Sequence, residues 1–472
     1  MKIQLVVLQK KWGNGFNKYK EFRRLPLKHQ LIHVNGIEGE IINLKTPKYS
    51  WIILLILVAS GMINQVDKVI IGLVSVPLMK ELHLSPSQWG IVGSSFFWFF
   101  TFSSFIIGGM ADSRNTKKMF TWISFVWLIV QFTTPFVSSL SLLVITRMIL
   151  GAGEGPAVAI STSIIGKWFP KHRHGIGFGA VLFGATIGPA IASPLLISLI
   201  NGYGWRSAFI AMGIVGLMVL VLWLILGKEN PKEIGSYAFD QEDKHSIISS
   251  NVSWRQFLPY LLSKNFIFIV LCAGCAYWLL SVQAVWFPAY FSEIQHFDGK
   301  MLKLAVSLPF LFAAICQIVF ALLSDRLYRK TGDIRKARIN VAGSTMVLSA
   351  ICLFLANAFN SSAISILFFI LAPGFAIVIL SLAPAILMEF FSPKNIGKAQ
   401  GAYVALSSST SIIAPLIFGY FIQYAGSEGI GYGYGFQVTS LVMFVIGLLF
   451  WTIVRPANQS QTTIKSEEQI IV

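Results

Sequence analysis

Charged residues are scarce in this chain. They make up 12% of its 472 residues, against roughly 25% in a typical soluble domain. Hydrophobic residues make up 55%, and they fall in blocks of about 20 residues, the length of a helix that crosses a bilayer. The composition excludes a soluble protein and predicts an integral membrane protein.

Cysteine and acidic residues are also few. The four cysteines all lie in apolar blocks, which favours a packing role over a disulfide or a metal site; they are Cys272, Cys275, Cys316 and Cys352. Only 20 Asp and Glu oppose 37 Lys and Arg. On a soluble protein this excess of basic residues would suggest nucleic-acid binding, but here membrane topology explains it. We expect no nucleic acid, cofactor or metal, and no enzyme, because no nucleophile–base pair is evident.

Twelve apolar blocks, which we number span 1 to span 12, divide into six and six around a polar linker. They lie at about 49–72, 88–110, 119–138, 141–165, 175–200, 205–227, 265–290, 302–323, 338–357, 363–389, 399–424 and 434–454. This predicts an all-α membrane fold of two pseudo-symmetric six-helix bundles. The predicted regions are a basic tail (1–48), a bundle (49–227), a linker (228–264), a bundle (265–454) and a second tail (455–472).

The basic residues predict the orientation of the chain, because cytoplasmic loops are enriched in Lys and Arg. If the N-terminus is cytoplasmic, only six of the 37 basic residues lie in outer loops or inside spans: Lys80, Arg206, Lys300, Lys303, Lys68 and Arg147. Both termini are therefore predicted to be cytoplasmic, in the cell's inner (plasma) membrane. The first 48 residues hold ten Lys or Arg and three Glu. They are either a tail attracted to anionic lipid or an over-extended start.

The loops after spans 2 and 8 repeat each other. The first contains Asp112 and Arg114, and the second contains Asp325 and Arg326. An internal repeat of this kind is how many transporters are built. The first loop resembles the Gly-x-x-x-Asp-Arg-x-Gly-Arg-Arg motif of the major facilitator superfamily in a degenerate form. The resemblance implies that these four residues form cytoplasmic ion pairs that gate transport; the plain alternative is positive-inside charge.

Four ionisable residues lie well inside spans, all in the first half: Asp67, Lys68, Arg147 and Glu154. Each costs roughly 2.5–3.5 kcal/mol at the bilayer centre on insertion scales, so a structural or functional need must retain them. Arg147 and Glu154 are seven residues apart and share one helix face at about 10 Å separation. They are too far apart to pair directly, so a ligand or residues of span 1 could lie between them.

The residues around these charges resemble the anion:cation symporter family of that superfamily. Residues 147–155 of span 4 match its Arg-x-x-x-Gly-x-x-Glu-Gly motif, and 64–68 of span 1 resemble its Asn-Tyr-x-Asp-Arg. Residues 168–170 and 204–209 match its Trp-Phe-Pro and Gly-Trp-Arg-x-Ala-Phe runs.

The resemblance implies a role for each charged position. Asp67 and Glu154 would bind protons, Arg147 would bind the anionic group of the substrate, and Asn64 and Lys68 would line the same site. Lys68 departs from the family's Arg and presents a point charge instead of a fork of donors. Span 11 carries Ser407–Thr410 where the family often has Asn, which leaves a sugar-acid substrate open.

The second half offers neutral candidates for contacting the substrate: Tyr277, Gln283, Trp286 and Ser408. Gln283 is favoured because a buried amide needs hydrogen-bond partners. Aromatic residues at helical spacing often serve packing, and a serine in a helix can bond its own backbone. We predict that these residues select the substrate.

The combined interpretation is proton-driven symport of a small organic anion, a carboxylate, by alternating access. Protons, the anion and membrane lipid are the expected partners, and a monomer is expected. One alternative is an organophosphate or drug antiporter of the same superfamily, although the second half lacks the additional pocket cations that a phosphate exchanger needs. Another is a non-transporting sensor, which would require an extra folded domain.

Overall fold

The computed structural model describes residues 47–110, 114–170, 173–234, 259–359, 362–391 and 396–455. Every regular element in these ranges is helical. Eleven helical stretches are long and apolar enough to cross a bilayer. Span 2, with 21 residues, completes the predicted twelve, since its length of roughly 31 Å matches a hydrocarbon core of about 30 Å. The predicted all-α fold is confirmed.

The helices follow the predicted spans closely, and spans 4, 10 and 11 are each broken once. Span 7 is also interrupted, at Trp286, after which Phe287–Ala289 and Tyr290–Ile294 continue it. In the first half they are Lys48–Leu73 (span 1), Pro86–Ile106 (span 2), Thr116–Thr133 (span 3), Leu140–Glu154 with Ala157–Trp168 (span 4), His174–Tyr203 (span 5) and Trp205–Leu226 (span 6). In the second half they are Lys264–Val285 (span 7), Gly299–Thr331 (span 8), Asn340–Ala358 (span 9), Ser362–Ala376 with Val378–Phe390 (span 10), Ile396–Ser408 with Thr410–Tyr424 (span 11) and Glu428–Ile453 (span 12).

Helix contacts repeat between the two halves. Span 1 packs on span 5, span 2 on span 4 and span 3 on span 6. The second half has the same pairs shifted by six, namely 7 with 11, 8 with 10 and 9 with 12. Between the halves, span 2 packs on span 11 and span 5 packs on span 8. These two contacts are equivalent, because a change of six in each span number converts one pair into the other. The molecule is therefore two pseudo-symmetric six-helix bundles.

The two bundles are in backbone contact at the end of the spans that is distant from the termini. A Cβ atom on Gly72 of span 1 would lie 2.0 Å from the Ala284 carbonyl oxygen of span 7, and one on Gly419 of span 11 would lie 2.5 Å from that of Pro86. The backbone N–H of Ser87 also donates to Gln423 Oε1 at 3.1 Å. Glycine permits this approach because it has no side chain, so this end of the molecule is closed.

Span 4 breaks directly after Glu154. Pro156 has no N–H to continue the helix, and the second segment begins at Ala157. The span lies close against span 2, since a Cβ atom on Gly151 would lie 2.0 Å from the Phe96 carbonyl oxygen and one on Gly155 would lie 2.3 Å from that of Phe100. Two small residues at this four-residue spacing are a common means of close helix packing in membranes. They bring the helix that carries Arg147 and Glu154 against span 2.

The predicted regions at the ends and in the middle of the chain lie largely outside the described residues. The basic tail (1–48) is described only at 47 and 48, and the second tail (455–472) only at 455. The linker (228–264) is described at 228–234 and 259–264, where Pro231–Ile234 forms a short 3₁₀ turn. The boundaries of these regions stay predictions.

Candidate functional site

The four ionisable residues predicted inside spans are buried in the first bundle. Asp67 and Glu154 are fully buried and Arg147 is 3% exposed, while the Lys68 side chain is 11% exposed. Buried charges are tolerated only where they are paired or hydrogen-bonded. The partners of each charge therefore define the site.

Lys68 pairs with Glu154 across spans 1 and 4. Its Nζ lies 3.3 Å from Glu154 Oε2, an ion-pair distance without hydrogen-bond geometry. The same Nζ donates to Asn64 Oδ1 at 2.5 Å, one helical turn earlier, and faces the rings of Phe96 and Phe100 at 5.7 and 5.1 Å from their centroids. Lys68 is thus held between a carboxylate, an amide oxygen and two aromatic faces.

Arg147 contacts the same helix one position earlier. Its Nη1 donates to the backbone oxygen of Asp67 at 3.2 Å, and its guanidinium lies 5.0 Å from the centre of the Phe96 ring. Phe96 therefore faces both cations. The Arg147 Nε has no hydrogen-bond partner among the described residues, so this donor is available to a ligand.

Residues of span 1 thus contact both charged residues of span 4. Arg147 binds the backbone of Asp67, and Glu154 binds the side chain of Lys68. The spacing of Arg147 and Glu154 allowed either a ligand or residues of span 1 to lie between them. In the structure, residues of span 1 lie there. The Asn64 Nδ2 and both Glu154 oxygens have no hydrogen-bond partner in the described part of the chain.

Asp67 has a partner that the sequence analysis did not single out. Gln131 of span 3 donates from Nε2 to Asp67 Oδ1 at 2.6 Å, and its side chain is 3% exposed. The signal was present, because Gln131 is an amide in the middle of an apolar span, the same argument that selected Gln283.

The candidates in the second half have different surroundings. Trp286 donates from Nε1 to the Pro415 backbone oxygen at 3.2 Å, which links span 7 to span 11. The Ser408 hydroxyl bonds the Ala405 carbonyl of its own helix at 3.4 Å, and Tyr277 is half-buried. Gln283 is buried and neither atom of its amide has a hydrogen-bond partner among the described residues, which makes it the second-half candidate with free polar atoms.

Span 11 carries a buried tyrosine that the sequence alone does not mark as a site residue. Tyr403 is 3% exposed, and its hydroxyl has no partner within the described ranges. A tyrosine in an apolar span gives no signal by sequence alone, because most such residues pack or lie at the membrane interface.

The predicted gating residues are only partly described. Asp112 lies outside the described residues. Arg114, Asp325 and Arg326 are exposed, and no ion pair joins them to another described residue. Their gating role stays a prediction.

A different acidic residue is bound tightly at this end of the first bundle. Glu229 accepts hydrogen bonds from Lys167 Nζ at 2.5 Å and from the backbone N–H groups of Lys117 and Thr116 at 2.7 and 3.2 Å. Burial raises the pKa of Glu229, but these hydrogen bonds outweigh it and hold the pKa below its ordinary value. Glu229 thereby joins the ends of spans 3, 4 and 6. No group of three or more His, Cys, Asp or Glu in the described part of the chain could hold a metal ion.

Twelve membrane helices that enclose two carboxylates and two cations define an integral membrane protein with an ionic site. The sequence model described as Major Facilitator Superfamily matches residues 53–380 and 269–470. The chain belongs to the major facilitator superfamily, whose matched relatives are named as membrane transporters and not as enzymes.

Curated relatives cover most of the chain. A probable sulfoacetate transporter of Cupriavidus necator is 28% identical over 77% of this chain and 85% of its own length. The hexuronate transporter of Bacillus subtilis is 24% identical over 79% of this chain and 88% of its own. A probable galactarate/D-glucarate transporter of Escherichia coli is 25% identical over 81% of this chain and 89% of its own. These are anion transporters of the anion:cation symporter type, so the predicted family resemblance is confirmed.

Solved structures share the fold at low sequence identity. A bacterial homologue of the human lysosomal transporter Spinster, in an inward-facing and unoccupied conformation, has a TM-score of 0.70 at 17% identity and covers 86% of this chain and 97% of its own. A D-xylose–proton symporter has a TM-score of 0.67 at 16% identity and covers 87% and 99%. Both likenesses concern the fold alone.

Proposed function

We propose that this protein is a secondary transporter that carries a small organic anion, a carboxylate or a related acid, together with protons. Membership of the superfamily supports a secondary transporter. The names of three relatives, which specify sulfoacetate, hexuronate and galactarate or glucarate, support an organic anion as the substrate.

The observation that carries the proposal is the unpaired donor of a buried guanidinium. Arg147 donates from Nη1 to the Asp67 backbone oxygen, and its Nε has no partner among the described residues. A guanidinium is shaped for bidentate recognition of a carboxylate. An organic anion bound at Arg147 would satisfy this donor and place its charge beside Asp67.

Proton coupling would follow from the balance of charge. Two carboxylates and two cations share the site, and Glu154 interacts electrostatically with Lys68, Asp67 and Arg147. A substrate anion that binds one of the cations competes with the ionised carboxylates for its charge. The ionised carboxylates are then less stabilised, which favours uptake of a proton by Asp67 or Glu154. Anion and proton would then move together without any covalent step.

Alternating access is part of the proposal. The end distant from the termini is closed by the contacts of Gly72 with Ala284 and of Gly419 with Pro86. With both termini cytoplasmic, as the basic residues indicate, this closed end faces outward. Rocking of the two bundles about the buried charges would open it.

The test of function is transport in proteoliposomes. Purified protein is loaded with unlabelled sulfoacetate, glucuronate or glucarate, and counterflow of the labelled acid is followed. An inward proton gradient should drive accumulation, and a protonophore should abolish it. Glu154→Gln should retain counterflow but lose proton-driven accumulation. Glu293→Gln is the control and should retain both, because Glu293 is an exposed carboxylate that pairs with Lys80 of an outer loop.

Two results would reject the proposed function. One is the absence of counterflow for every carboxylate offered, and the other is unchanged proton-driven accumulation in Glu154→Gln. A protonophore-insensitive exchange of organophosphates would favour the antiporter alternative. Replacement of the proton gradient by a sodium gradient tests the coupling ion directly, since one relative is named a sodium-dependent phosphate transport protein.

We also propose that the protein spans the cytoplasmic membrane with both termini inside. The four native cysteines are buried, so a single introduced cysteine reports its own side. A membrane-impermeant maleimide applied to intact cells should label Lys80→Cys and leave Arg455→Cys unlabelled until the membrane is permeabilised. The reverse pattern would overturn the orientation.

A further inference from the structure

A small cavity lies beside Asp67 between spans 1, 3 and 6. Its lining includes Asp67, Ser124, Trp127, Gln131 and Met212. Its volume is about 10 Å³, which is roughly what one water molecule needs. Of the four buried charged residues, Asp67 lines this cavity and Lys68, Arg147 and Glu154 do not. The Asp67 carboxylate therefore connects the cavity to the other three charges.

Four residues of the cavity lining each carry a polar atom that has no hydrogen-bond partner among the residues that the structure describes: Asp67 Oδ2, Ser124 Oγ, Trp127 Nε1 and Gln131 Oε1. Each of the four residues is more than nine-tenths buried. Buried polar groups in proteins are nearly always hydrogen-bonded to protein or to ordered water. Four such atoms around one cavity therefore indicate a shared ligand.

The sequence places three of these groups on one face of span 3. Ser124, Trp127 and Gln131 stand at positions i, i+3 and i+7, which return to the same face of a helix. The hydrogen bond from Gln131 Nε2 to Asp67 Oδ1 fixes the orientation of the amide, so its Oε1 remains as an acceptor.

The donors and acceptors match water and no simple ion. Asp67 Oδ2 and Gln131 Oε1 accept, Trp127 Nε1 only donates, and the Ser124 hydroxyl does either. A water molecule can donate to the first two and accept from the others. A bare cation would meet the indole N–H, which cannot coordinate it, and an anion would meet the Asp67 carboxylate.

We infer that this cavity is a binding site for one water molecule, which hydrogen-bonds the Asp67 carboxylate between spans 1, 3 and 6. On the proposed function, this water is the immediate proton donor to Asp67. An O–H bond of the protonated water breaks as the Oδ2–H bond forms, so one proton moves and the carboxylate loses its charge. Ser124, Trp127 and Gln131 are positioning residues in this step.

Infrared spectroscopy of the purified protein in lipid tests the site without transport. Exchange of H₂¹⁶O for H₂¹⁸O shifts only the stretching bands of water, so a sharp, shifted band in the pH-difference spectrum reports an ordered water. We expect this band in the wild type and its loss in both Trp127→Phe, which removes the N–H together with the pyrrole ring, and Ser124→Ala. Trp89→Phe is the matched control, because Trp89 is also buried with an unpartnered Nε1 but lies outside this cavity.

Retention of the band in both cavity variants would overturn the water site. So would a shift of the Asp67 carboxylate band on replacing choline by Na⁺ in the wild type, since that result identifies a cation site. In transport, the cavity variants should shift the midpoint pH of proton-driven accumulation while counterflow persists. If no anion is carried by the wild type, the proposed function fails, whereas the infrared band still decides the water site.

Discussion

The ion pair between Lys68 and Glu154 predicts a large coupling energy. At 3.3 Å and an effective dielectric constant of about 20, two unit charges attract by about 5 kcal/mol. Desolvation offsets part of this, but removal of one partner leaves the other charge buried and costs about 3–5 kcal/mol. We expect Lys68→Met and Glu154→Gln each to destabilise the protein substantially, and the double variant to be less destabilised than the sum.

The assay is a double-mutant cycle of equilibrium unfolding in detergent at neutral pH. The pair Lys80–Glu293 provides a matched control, because its N···O distance is 3.4 Å but its side chains are 72% and 39% exposed. An exposed pair contributes about 0–1 kcal/mol, so its cycle should be close to additive. Additivity within about 0.5 kcal/mol for the Lys68–Glu154 cycle would refute the reasoning, since it would mean that the two charges are not coupled in the folded state.

Three further predictions follow from the packing and the loops. Gly151→Ala should lower the free energy of unfolding by about 1–3 kcal/mol, because its Cβ would lie 2.0 Å from the Phe96 carbonyl oxygen. Gly179→Ala is the control and should have no such effect, since its Cβ would meet open space; equal unfolding temperatures of the two variants would contradict this. The ionised Glu229 stabilises the fold at pH values above its ordinary pKa of about 4.3. This contribution should be lost as the pH falls below that value and through the lower pKa of the folded state. The unfolding temperature should therefore depend more weakly on acid pH in Glu229→Gln than in the wild type. Gln283→Leu should raise the KM of the transported anion with little change in unfolding temperature, because its amide has no partner among the described residues; an unchanged KM would remove Gln283 from the substrate site.

The buried charges show how far the sequence alone can go. An apolar block with an Arg and a Glu seven residues apart identifies a helix with both charges on one face, because helical periodicity is local. It could not identify the partner of either charge. Lys68 binds Glu154 and Asp67 binds Gln131 because spans 1, 3 and 4 meet in three dimensions. At Gly153, for example, span 4 packs closely against Trp127 of span 3.

The second half illustrates the same limit. Residue type places Gln283, Trp286 and Ser408 in one group, as polar or aromatic residues of spans 7 and 11. The structure separates them, since the Trp286 N–H bonds the Pro415 backbone and the Ser408 hydroxyl bonds its own helix, while the Gln283 amide stays free within the described residues. Residue type alone did not distinguish a group held by packing from one left for a ligand.

The sequence by itself determined the class of protein, the twelve helices, their division into two halves and the four charges that lie within them. These follow from hydrophobicity, helix length and charge, each of which acts locally or additively along the chain. Only the tertiary structure decided which charge pairs with which, that Gln131 holds Asp67, and that a cavity lies behind that carboxylate. Those features depend on distances between residues far apart in sequence, which only the packing of the helices sets.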